Sequence, residues 1–292
     1  MEIICNDCPR QCGAARSEHS GKGFCRMGLN PVLARAALHF DEEPVVSGES
    51  GSGAVFFSGC ALRCRFCQNF EISHHGIGRE VTAERLREIY FELIGQGANN
   101  INLVNPTHFV SPILKSLEGG LPVPVVWNTG GYERVETLRR LEGKVQVYLP
   151  DLKYIRSDAA KRYSAAPDYF EFAGPALREM LRQTGPVILD ENGLIRSGVI
   201  VRHLILPGRT EESLEILDWI AANLPGAWVS LMAQYLPFGQ VAGVDALDRR
   251  LTQEEYDRVC DHLMALGLED GFVQELSSSD ECYIPKFDLT GV

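Results

Sequence analysis

Short apolar runs alternate with amphipathic stretches over most of this 292-residue chain. The apolar runs, bounded by glycine, proline or asparagine, predict strands at 54–57, 101–104, 123–127, 145–149, 199–205 and 228–232. Helical periodicity predicts helices at 82–96, from about Ser111, at 132–141, at 158–183 with a break near Pro167, at 211–223 and at 253–266. Strands that alternate with helices form a parallel sheet through right-handed crossovers. Six such units are fewer than the eight that close a barrel, so the sequence predicts an α/β fold with an open, partial (βα)6 barrel.

The first fifty residues differ in composition from the rest of the chain. They contain Cys5, Cys8, Cys12 and Cys25, and a run of glycine and serine at 47–53 predicts a turn or hinge after them. We therefore expect two parts, a cysteine-rich metal-binding extension at residues 1–50 and the partial barrel at residues 51–292.

Charge and hydropathy narrow the range of partners. The formal net charge is −11, and counterion release at nucleic acid or at an anionic membrane needs a basic surface, so neither is expected as a partner. The chain shows no charged leader with an apolar core and no apolar stretch of membrane-spanning length. Nine cysteines, mostly in clusters, are typical of metal sites in a reducing compartment, so we expect a cytoplasmic protein.

Cys60, Cys64 and Cys67 follow the first predicted barrel strand with the spacing C-x3-C-x2-C. Three thiolates this close on one loop fit one face of a cubane iron–sulfur cluster and leave one iron without a protein ligand. A zinc knuckle needs a fourth ligand and usually takes paired C-x-x-C units that are distant in sequence. A disulfide across such short spacings would be strained and would leave one thiol over. We therefore interpret the three cysteines as ligands of a [4Fe-4S] cluster with an open iron.

This spacing, with Phe66 just before the last cysteine, resembles the signature of the radical S-adenosylmethionine (radical SAM) enzymes. The resemblance implies a partial (βα)6 barrel with the cluster loop after its first strand. It also implies that S-adenosylmethionine binds the open iron through its amino and carboxylate groups. One electron then cleaves the sulfonium to methionine and a 5′-deoxyadenosyl radical, which abstracts a hydrogen atom from the substrate.

Polar residues follow three consecutive predicted strands at the points where those strands end. They are Asn105 and Thr107, then Asn128 and Thr129, then Asp151 and Lys153. Ligands of parallel α/β folds bind at the carboxyl ends of strands, and a zwitterionic cofactor with a ribose needs donors, acceptors and a cation close together. We predict these six residues as the cofactor-binding set, although Asp151 and Lys153 also suit an ordinary ion pair at a strand end.

A second resemblance extends over most of the chain. Several stretches resemble the activating enzymes of glycyl radical enzymes, and among these the subgroup described as pyruvate formate-lyase activating protein homologues: 39–44, 56–60, 67–73, 105–108, 128–132, 149–154 and 202–208. The resemblance implies that Asn128 and Thr129 hold the cofactor carboxylate and a nearby monovalent cation, with Asp151 and Lys153 contributing. It also implies a reductant such as flavodoxin or ferredoxin. Many radical SAM enzymes carry Gly-Gly-Glu where this chain has Asn105-Pro106-Thr107, so Thr107 and main-chain carbonyls would grip the methionine amino group.

The extension offers a second set of metal ligands. Cys5, Cys8, Cys12 and Cys25 supply four thiolates, which is the number that closes either a tetrahedral zinc site or a fully ligated second [4Fe-4S] cluster. A segment this short and polar needs a metal to become ordered. The sequence leaves both metals open.

The leading functional hypothesis is a radical SAM enzyme, an oxidoreductase that abstracts hydrogen from a protein or peptide and activates a glycyl radical enzyme. One alternative is a radical SAM enzyme that acts on a small molecule. Another is a non-catalytic iron–sulfur carrier or redox sensor. The sequence names no catalytic side chain, although Cys282 is a candidate thiyl site.

Overall fold

The computed structural model of the protein describes residues 3–278 and 285–292, so the candidate thiyl residue Cys282 lies outside the described residues. Strands β1 to β12 are, in chain order, Ile3–Cys5, Ala14–Arg16, Val32–His39, Ser52–Phe57, Arg79–Glu80, Ile101–Val104, Val125–Thr129, Val147–Pro150, Ile188–Leu189, Ile195–Leu204, Trp228–Met232 and Gly271–Val273. Helices α1 to α8 are Pro44–Ser47, Ala83–Gly95, Val110–Ser116, Val135–Arg139, Ser157–Ser164, Tyr169–Thr184, Thr210–Asn223 and Gln253–Ala265.

One large sheet forms the centre of the fold. Its strand order is β12-β11-β10-β8-β7-β6-β4-β3-β5, and β9 pairs with β10 outside this path. The neighbours from β4 to β12 along this path pair in parallel, whereas β3 pairs antiparallel with both β4 and β5. Within the described residues β12 and β5 do not pair with each other, so the sheet stays open. The predicted α/β fold is confirmed, and no closed barrel is present in the described part of the chain.

The two faces of the sheet carry different neighbours because successive side chains of a strand point to opposite faces. Val55, Leu103 and Trp127 belong to the main core, which the long helices also join. Alternate residues of the same strands form two smaller apolar clusters on the inner face. Val46 of α1 belongs to one of these clusters, so the segment after β3 covers the inner face at the end where the parallel strands begin.

Local sequence signals account for several element boundaries. Thr82 accepts a hydrogen bond from the Arg85 backbone at the start of α2, and Thr252 forms a capping box with Glu255 at the start of α8. The predicted break near Pro167 is confirmed, because α5 and α6 are separate helices. In contrast, the helix predicted at 132–141 contains only the short α4.

The described part of the cysteine-rich extension consists of a small hairpin, a strand of the large sheet and the short helix α1. Strands β1 and β2 pair antiparallel with each other, while β3 pairs with β4 over most of its length. The division at residue 50 stays a prediction. Within the described residues, no helix combines the length and the apolar character that a bilayer crossing requires.

Candidate functional site

The cluster loop, residues 58–67, begins directly after β4 at the carboxyl end of the parallel strands. Gly59 has φ of +79°, and a Cβ at this position would lie 2.4 Å from Met27 Cγ and 2.9 Å from the Cys25 carbonyl oxygen. Only glycine allows this backbone conformation together with this close approach. The cysteine-rich extension therefore packs directly against the start of the cluster loop.

Each of the three loop cysteines has a hydrogen-bond donor on its sulfur. The backbone amides of Leu62 and Arg63 donate to Cys60 Sγ at 3.3 and 3.4 Å. The Ser73 hydroxyl lies 3.4 Å from Cys67 Sγ, and the Ser164 hydroxyl donates to Cys64 Sγ at 2.9 Å. Hydrogen bonds to sulfur are a means by which proteins stabilise and tune cluster thiolates, so these residues fit the ligands of an iron–sulfur cluster.

A line of alternating charges begins beside the loop cysteines and continues down the inner face of the sheet. Lys153 Nζ donates to Asp151 Oδ2 at 2.5 Å, Arg202 Nε donates to Asp151 Oδ1 at 3.2 Å, and Arg202 Nη1 donates to Glu42 Oε2 at 3.1 Å. These four side chains are between 10 and 16% exposed. The ion pair that the sequence suggested for Asp151 and Lys153 is therefore present, as part of a longer network.

The electrostatics of this network follow from its burial and its pairing. Burial alone would raise the pKa of Asp151, but Lys153 and Arg202 outweigh burial and hold that pKa below its usual value. Burial alone would lower the pKa of Lys153, but Asp151 and the nearby Cys64 raise it. Both side chains therefore stay charged, and Lys153 places a positive charge beside the loop cysteines.

Asn128 joins the same network on the inner face. It accepts a hydrogen bond from Arg202 Nη2, and its own Nδ2 donates to Glu42 Oε1 at 3.2 Å. Asn102 Nδ2 donates to the same Glu42 oxygen at 2.9 Å. The structure thus brings Asn128, Asp151 and Lys153 together, and their cofactor-binding role stays a prediction.

Thr107 and Thr129 occupy a different place. Both hydroxyls donate to Glu133 Oε1, at 2.5 and 2.6 Å, and Trp127 Nε1 donates to the same oxygen at 3.2 Å. Burial raises the pKa of Glu133, whose Oε2 has no hydrogen-bond partner among the described residues. Thr129 follows Asn128 in β7 and therefore points away from the inner face. A cofactor-binding role for the two threonines stays a prediction.

Asn105 lies between these two groups. It has a left-handed φ of +59°, and its Nδ2 donates to the Gly59 carbonyl at 2.6 Å. Its backbone amide donates to the Asn128 carbonyl at 2.8 Å. Asn105 therefore braces the cluster loop against β7, and contact with a cofactor stays a prediction for it as well.

The sequence-based prediction missed two residues that organise the site. Arg202 directly follows the buried apolar run 199–201 of β10, and a charged residue at such a position in a parallel strand signals a polar partner on the inner face. Glu133 lies near the start of the helix that the sequence predicts at 132–141, where an acidic residue is ordinary. No sequence signal distinguishes Glu133 from a solvated residue, although it is fully buried.

Several hydrogen bonds attach the cysteine-rich extension to the cluster loop and to neighbouring helices. Arg10 donates to the carbonyls of Ala61 and Ser164, and Thr137 donates to the Asp7 carbonyl. Burial raises the pKa of Cys8 to about 12, and the nearby Cys25, Cys5 and Cys12 thiols add to the rise. The four cysteines of the extension are therefore neighbours in space.

The chain is similar to several known proteins. Residues 46–149 match the family described as "4Fe-4S single cluster domain". The fold resembles that of Streptococcus suis SuiB bound to S-adenosylmethionine, with a TM-score of 0.51 at 14% identity over 74% of this chain and 48% of SuiB. The chain therefore spans about half the length of SuiB.

Two curated relatives were also found. The uncharacterized protein MJ0674 of Methanocaldococcus jannaschii is 31% identical over 264 residues, which cover 87% of this chain and 72% of the relative. The pyruvate formate-lyase-activating enzyme of Clostridium pasteurianum is 27% identical over 126 residues, which cover 40% of this chain and 52% of the enzyme. The chain belongs to the same family as MJ0674.

Proposed function

We propose that the protein is an enzyme that cleaves S-adenosylmethionine reductively at a [4Fe-4S] cluster bound by Cys60, Cys64 and Cys67. The enzyme then abstracts hydrogen from a protein or peptide. The observation that carries this proposal is the placement of three hydrogen-bonded cysteine sulfurs on one loop, with the charged Lys153 beside them at the open mouth of the sheet. Such a site can hold both a cluster and an anionic group of a cofactor.

Each residue of the site has a definite role in this proposal. A [4Fe-4S] cluster bound by the three cysteines would supply the electron that breaks the sulfonium bond and gives the 5′-deoxyadenosyl radical. Lys153 pairs with the carboxylate of the methionine moiety, and Asp151 holds the Lys153 ammonium in place. Arg202 holds Asp151 and Asn128 in position through hydrogen bonds from its guanidinium. A monovalent cation beside Asn128 and Asp151 belongs to the same proposal.

Three findings support a protein or peptide as the substrate. One relative is a pyruvate formate-lyase-activating enzyme, and SuiB has been solved with its precursor peptide SuiA. The large sheet is open within the described residues, which leaves a wide mouth for a loop of a second protein. We therefore propose that the partner is a glycyl radical enzyme and that the atom abstracted is a hydrogen on its glycine Cα.

The test combines the anaerobically reconstituted protein, dithionite and a candidate partner that carries a glycyl radical motif with deuterium on its glycine Cα. We expect deuterium in the 5′-deoxyadenosine and a glycyl signal in the EPR spectrum of the partner. A partner whose radical glycine is replaced by alanine is the matched control. If 5′-deoxyadenosine forms but no candidate partner transfers deuterium to it, the glycyl radical role is wrong.

A small anionic molecule is the second candidate substrate, because a cavity of about 320 Å³ adjoins the cluster loop. It is lined by Arg26, Arg63, Phe70, His74, His75 and Gln240. Burial, together with the neighbouring Arg26, lowers the pKa of Arg63. Arg26 and Arg63 both line the cavity, and no carboxylate is among its described lining residues. Such a cavity suits a phosphate or carboxylate group.

Binding of inorganic phosphate tests this second candidate directly. We expect Arg63→Gln to abolish phosphate binding measured by calorimetry, while Arg87→Gln, on the distant helix α2, leaves it unchanged. If the unaltered protein binds no phosphate and no small carboxylate, the cavity does not select an anionic substrate.

A further inference from the structure

The turn that follows the cluster loop connects a histidine to one of the loop cysteines through a serine. Glu71–His75 forms one turn of π-helix, a wide turn that is rare and often found at functional sites. Ser73 on this turn is buried. Its hydroxyl oxygen lies 2.8 Å from His74 Nδ1 and 3.4 Å from Cys67 Sγ. One hydroxyl group therefore faces a titratable nitrogen and a cluster-loop sulfur at the same time.

The second ring nitrogen of His74 determines where the imidazole takes up a proton. His74 Nε2 lies 3.1 Å from the Arg63 carbonyl oxygen. A carbonyl oxygen only accepts hydrogen bonds, so Nε2 carries its hydrogen in the neutral ring as well as in the charged ring. Nδ1 is therefore the nitrogen that gains and loses a proton, and it is also the nitrogen that faces Ser73.

The Ser73 hydroxyl has only one proton to donate. When His74 is neutral, Nδ1 accepts this proton across the short distance of 2.8 Å. When His74 is charged, Nδ1 donates to the Ser73 oxygen, and the hydroxyl proton is free to turn towards Cys67 Sγ. The Phe70 carbonyl oxygen also lies 3.4 Å from the hydroxyl. A metal keeps its cysteine ligand deprotonated, so Cys67 is then the charged and stronger acceptor of the two.

We propose that Ser73 and His74 couple the reduction potential of the cluster at Cys60, Cys64 and Cys67 to proton uptake. Hydrogen bonds to the cysteine sulfurs help to set the potential of an iron–sulfur cluster. Reduction adds one negative charge, so a proton donated to Cys67 Sγ stabilises the reduced state and raises the potential. The proton comes from water and binds His74 Nδ1, the electron comes from the reductant, and the serine hydroxyl only rotates. This inference rests on the cluster of the proposed function and on no other part of it.

The charged groups around His74 set the pH range of this effect. His74 lines the cavity beside the cluster loop, where its charged or titratable neighbours are Arg26, Arg63 and His75 and the other lining residues are uncharged. Burial lowers the pKa of His74, and these three neighbours lower it further, although the hydrogen bond to the Arg63 carbonyl raises it. The pKa therefore lies below its ordinary value of 6.5. We expect the potential to fall as pH rises through this range and to become constant once His74 is neutral in both oxidation states.

The test is a redox titration of the anaerobically reconstituted full chain between about pH 5 and about pH 8, where histidine titrates. EPR spectroscopy follows the reduced cluster, and the variant with Cys60, Cys64 and Cys67 replaced by alanine identifies any signal from elsewhere. We expect the potential of the unaltered protein to fall as pH rises. His74→Phe keeps an aromatic ring against Phe70 and should lose this dependence. An unchanged dependence in His74→Phe would overturn the proposal.

His75→Phe is the matched control for His74→Phe. His75 lines the same cavity, but the ring that faces Ser73 is that of His74. We expect His75→Phe to retain the pH dependence of the potential. Loss of the dependence in His75→Phe and its retention in His74→Phe would assign the effect to the wrong histidine and contradict the proposal.

Ser73→Ala separates the hydrogen bond from the charge of the imidazolium. A charge on His74 raises the potential through space even without Ser73, so we expect Ser73→Ala to weaken the pH dependence and Ser73→Thr, which keeps a hydroxyl, to preserve it. Equal dependence in Ser73→Ala and in the unaltered protein would show that the hydroxyl plays no part.

The result also separates this inference from the proposed function. A protein that loads the cluster but has a potential independent of pH would overturn the inference alone, because formation of 5′-deoxyadenosine is measured separately. A protein whose loop cysteines bind no cluster would contradict both.

Discussion

At the scale of single residues, Arg202 determines how the candidate site is held together. It contacts Asp151, Glu42 and Asn128 at once. Removal of one partner from a buried ion pair leaves the other charge without compensation, at a cost of roughly 3–5 kcal/mol. We therefore expect Arg202→Leu to lower the free energy of unfolding by about that amount, measured by urea denaturation.

Arg196→Leu is the control for this prediction. Arg196 lies in the same strand, but its pair with Asp190 is on the surface, with half of the Arg196 side chain exposed. We expect little change in stability, because exposed pairs contribute little. Equal losses for the two variants would mean that the inner network does not stabilise the fold.

In the proposed function, Lys153 contacts the cofactor directly. Removing its ammonium in Lys153→Ala should weaken S-adenosylmethionine binding by about 1–3 kcal/mol if it holds the carboxylate, as is typical of charged hydrogen bonds. Equilibrium binding to the reconstituted protein measures this loss. Lys161→Ala, on the exposed surface of α5, should bind normally. Unchanged affinity for Lys153→Ala would leave Lys153 with only its ion pair to Asp151.

The burial of His203 makes the free energy of unfolding depend on pH. It is buried between the Leu152 carbonyl, 2.8 Å from Nδ1, and the Ser213 hydroxyl, 2.9 Å from Nε2. Burial lowers its pKa to about 4 in the folded protein, so the unfolded chain binds its proton more readily. Stability contributed by the neutral form is therefore present above the unfolded pKa of about 6.5 and is lost as pH falls towards 4.

We expect the free energy of unfolding to fall by about 2 kcal/mol more in the unaltered protein than in His203→Gln between pH 7 and pH 5. Urea denaturation at the two pH values measures this difference. Identical pH dependence in both proteins would show that His203 titrates normally.

At the scale of elements, the turn after β7 sets the position of the next strand end. Gly131 has φ of +76°, and a Cβ there would lie 2.1 Å from the Asp151 carbonyl oxygen. Gly131→Ala should therefore displace Asp151 and Lys153 and weaken S-adenosylmethionine binding, in addition to the cost of about 1–2 kcal/mol for a left-handed alanine.

Gly143→Ala separates these two effects. Gly143 has a similar φ of +74°, but no atom lies within 4 Å of the added Cβ. We expect the stability loss without the binding loss, measured on the same samples. If both variants bind the cofactor equally well, the approach of Gly131 to Asp151 does not control the site.

The sequence predicted the repeating elements of the barrel better than the elements around them. Periodicity and caps located α2, α7 and α8 to within a few residues, because each buries one apolar stripe. It did not predict β3 or the short parallel strand β12, whose positions depend on pairing with distant strands. Pairing of this kind is not encoded in local periodicity.

The same limit applies to the candidate site. Strand ends indicated Asn128, Asp151 and Lys153, which the inner-face network does bring together. The prediction also grouped Thr129 with Asn128, although adjacent strand residues face opposite sides. Arg202 and Glu42 come together from positions 160 residues apart, so only the fold reveals their contact.

At the scale of the whole molecule, the fold brings two cysteine sets to the end of an open sheet where its parallel strands finish. The extension packs against the cluster loop through Gly59 and Arg10, and the charged network descends from Lys153 on the inner face. The strand-end site is thereby closed on one side by the extension. In the proposed function, the cofactor chemistry takes place at this strand-end mouth.

Formation of 5′-deoxyadenosine tests the central claim most directly. The protein is reconstituted anaerobically until iron and sulfide analysis shows the loop cluster fully loaded, and it is then incubated with dithionite and S-adenosylmethionine. We predict 5′-deoxyadenosine and methionine in equal amounts, and none from the Cys60, Cys64 and Cys67 alanine variant. A fully loaded protein that yields no 5′-deoxyadenosine would contradict the account and favour a non-catalytic iron–sulfur carrier or redox sensor.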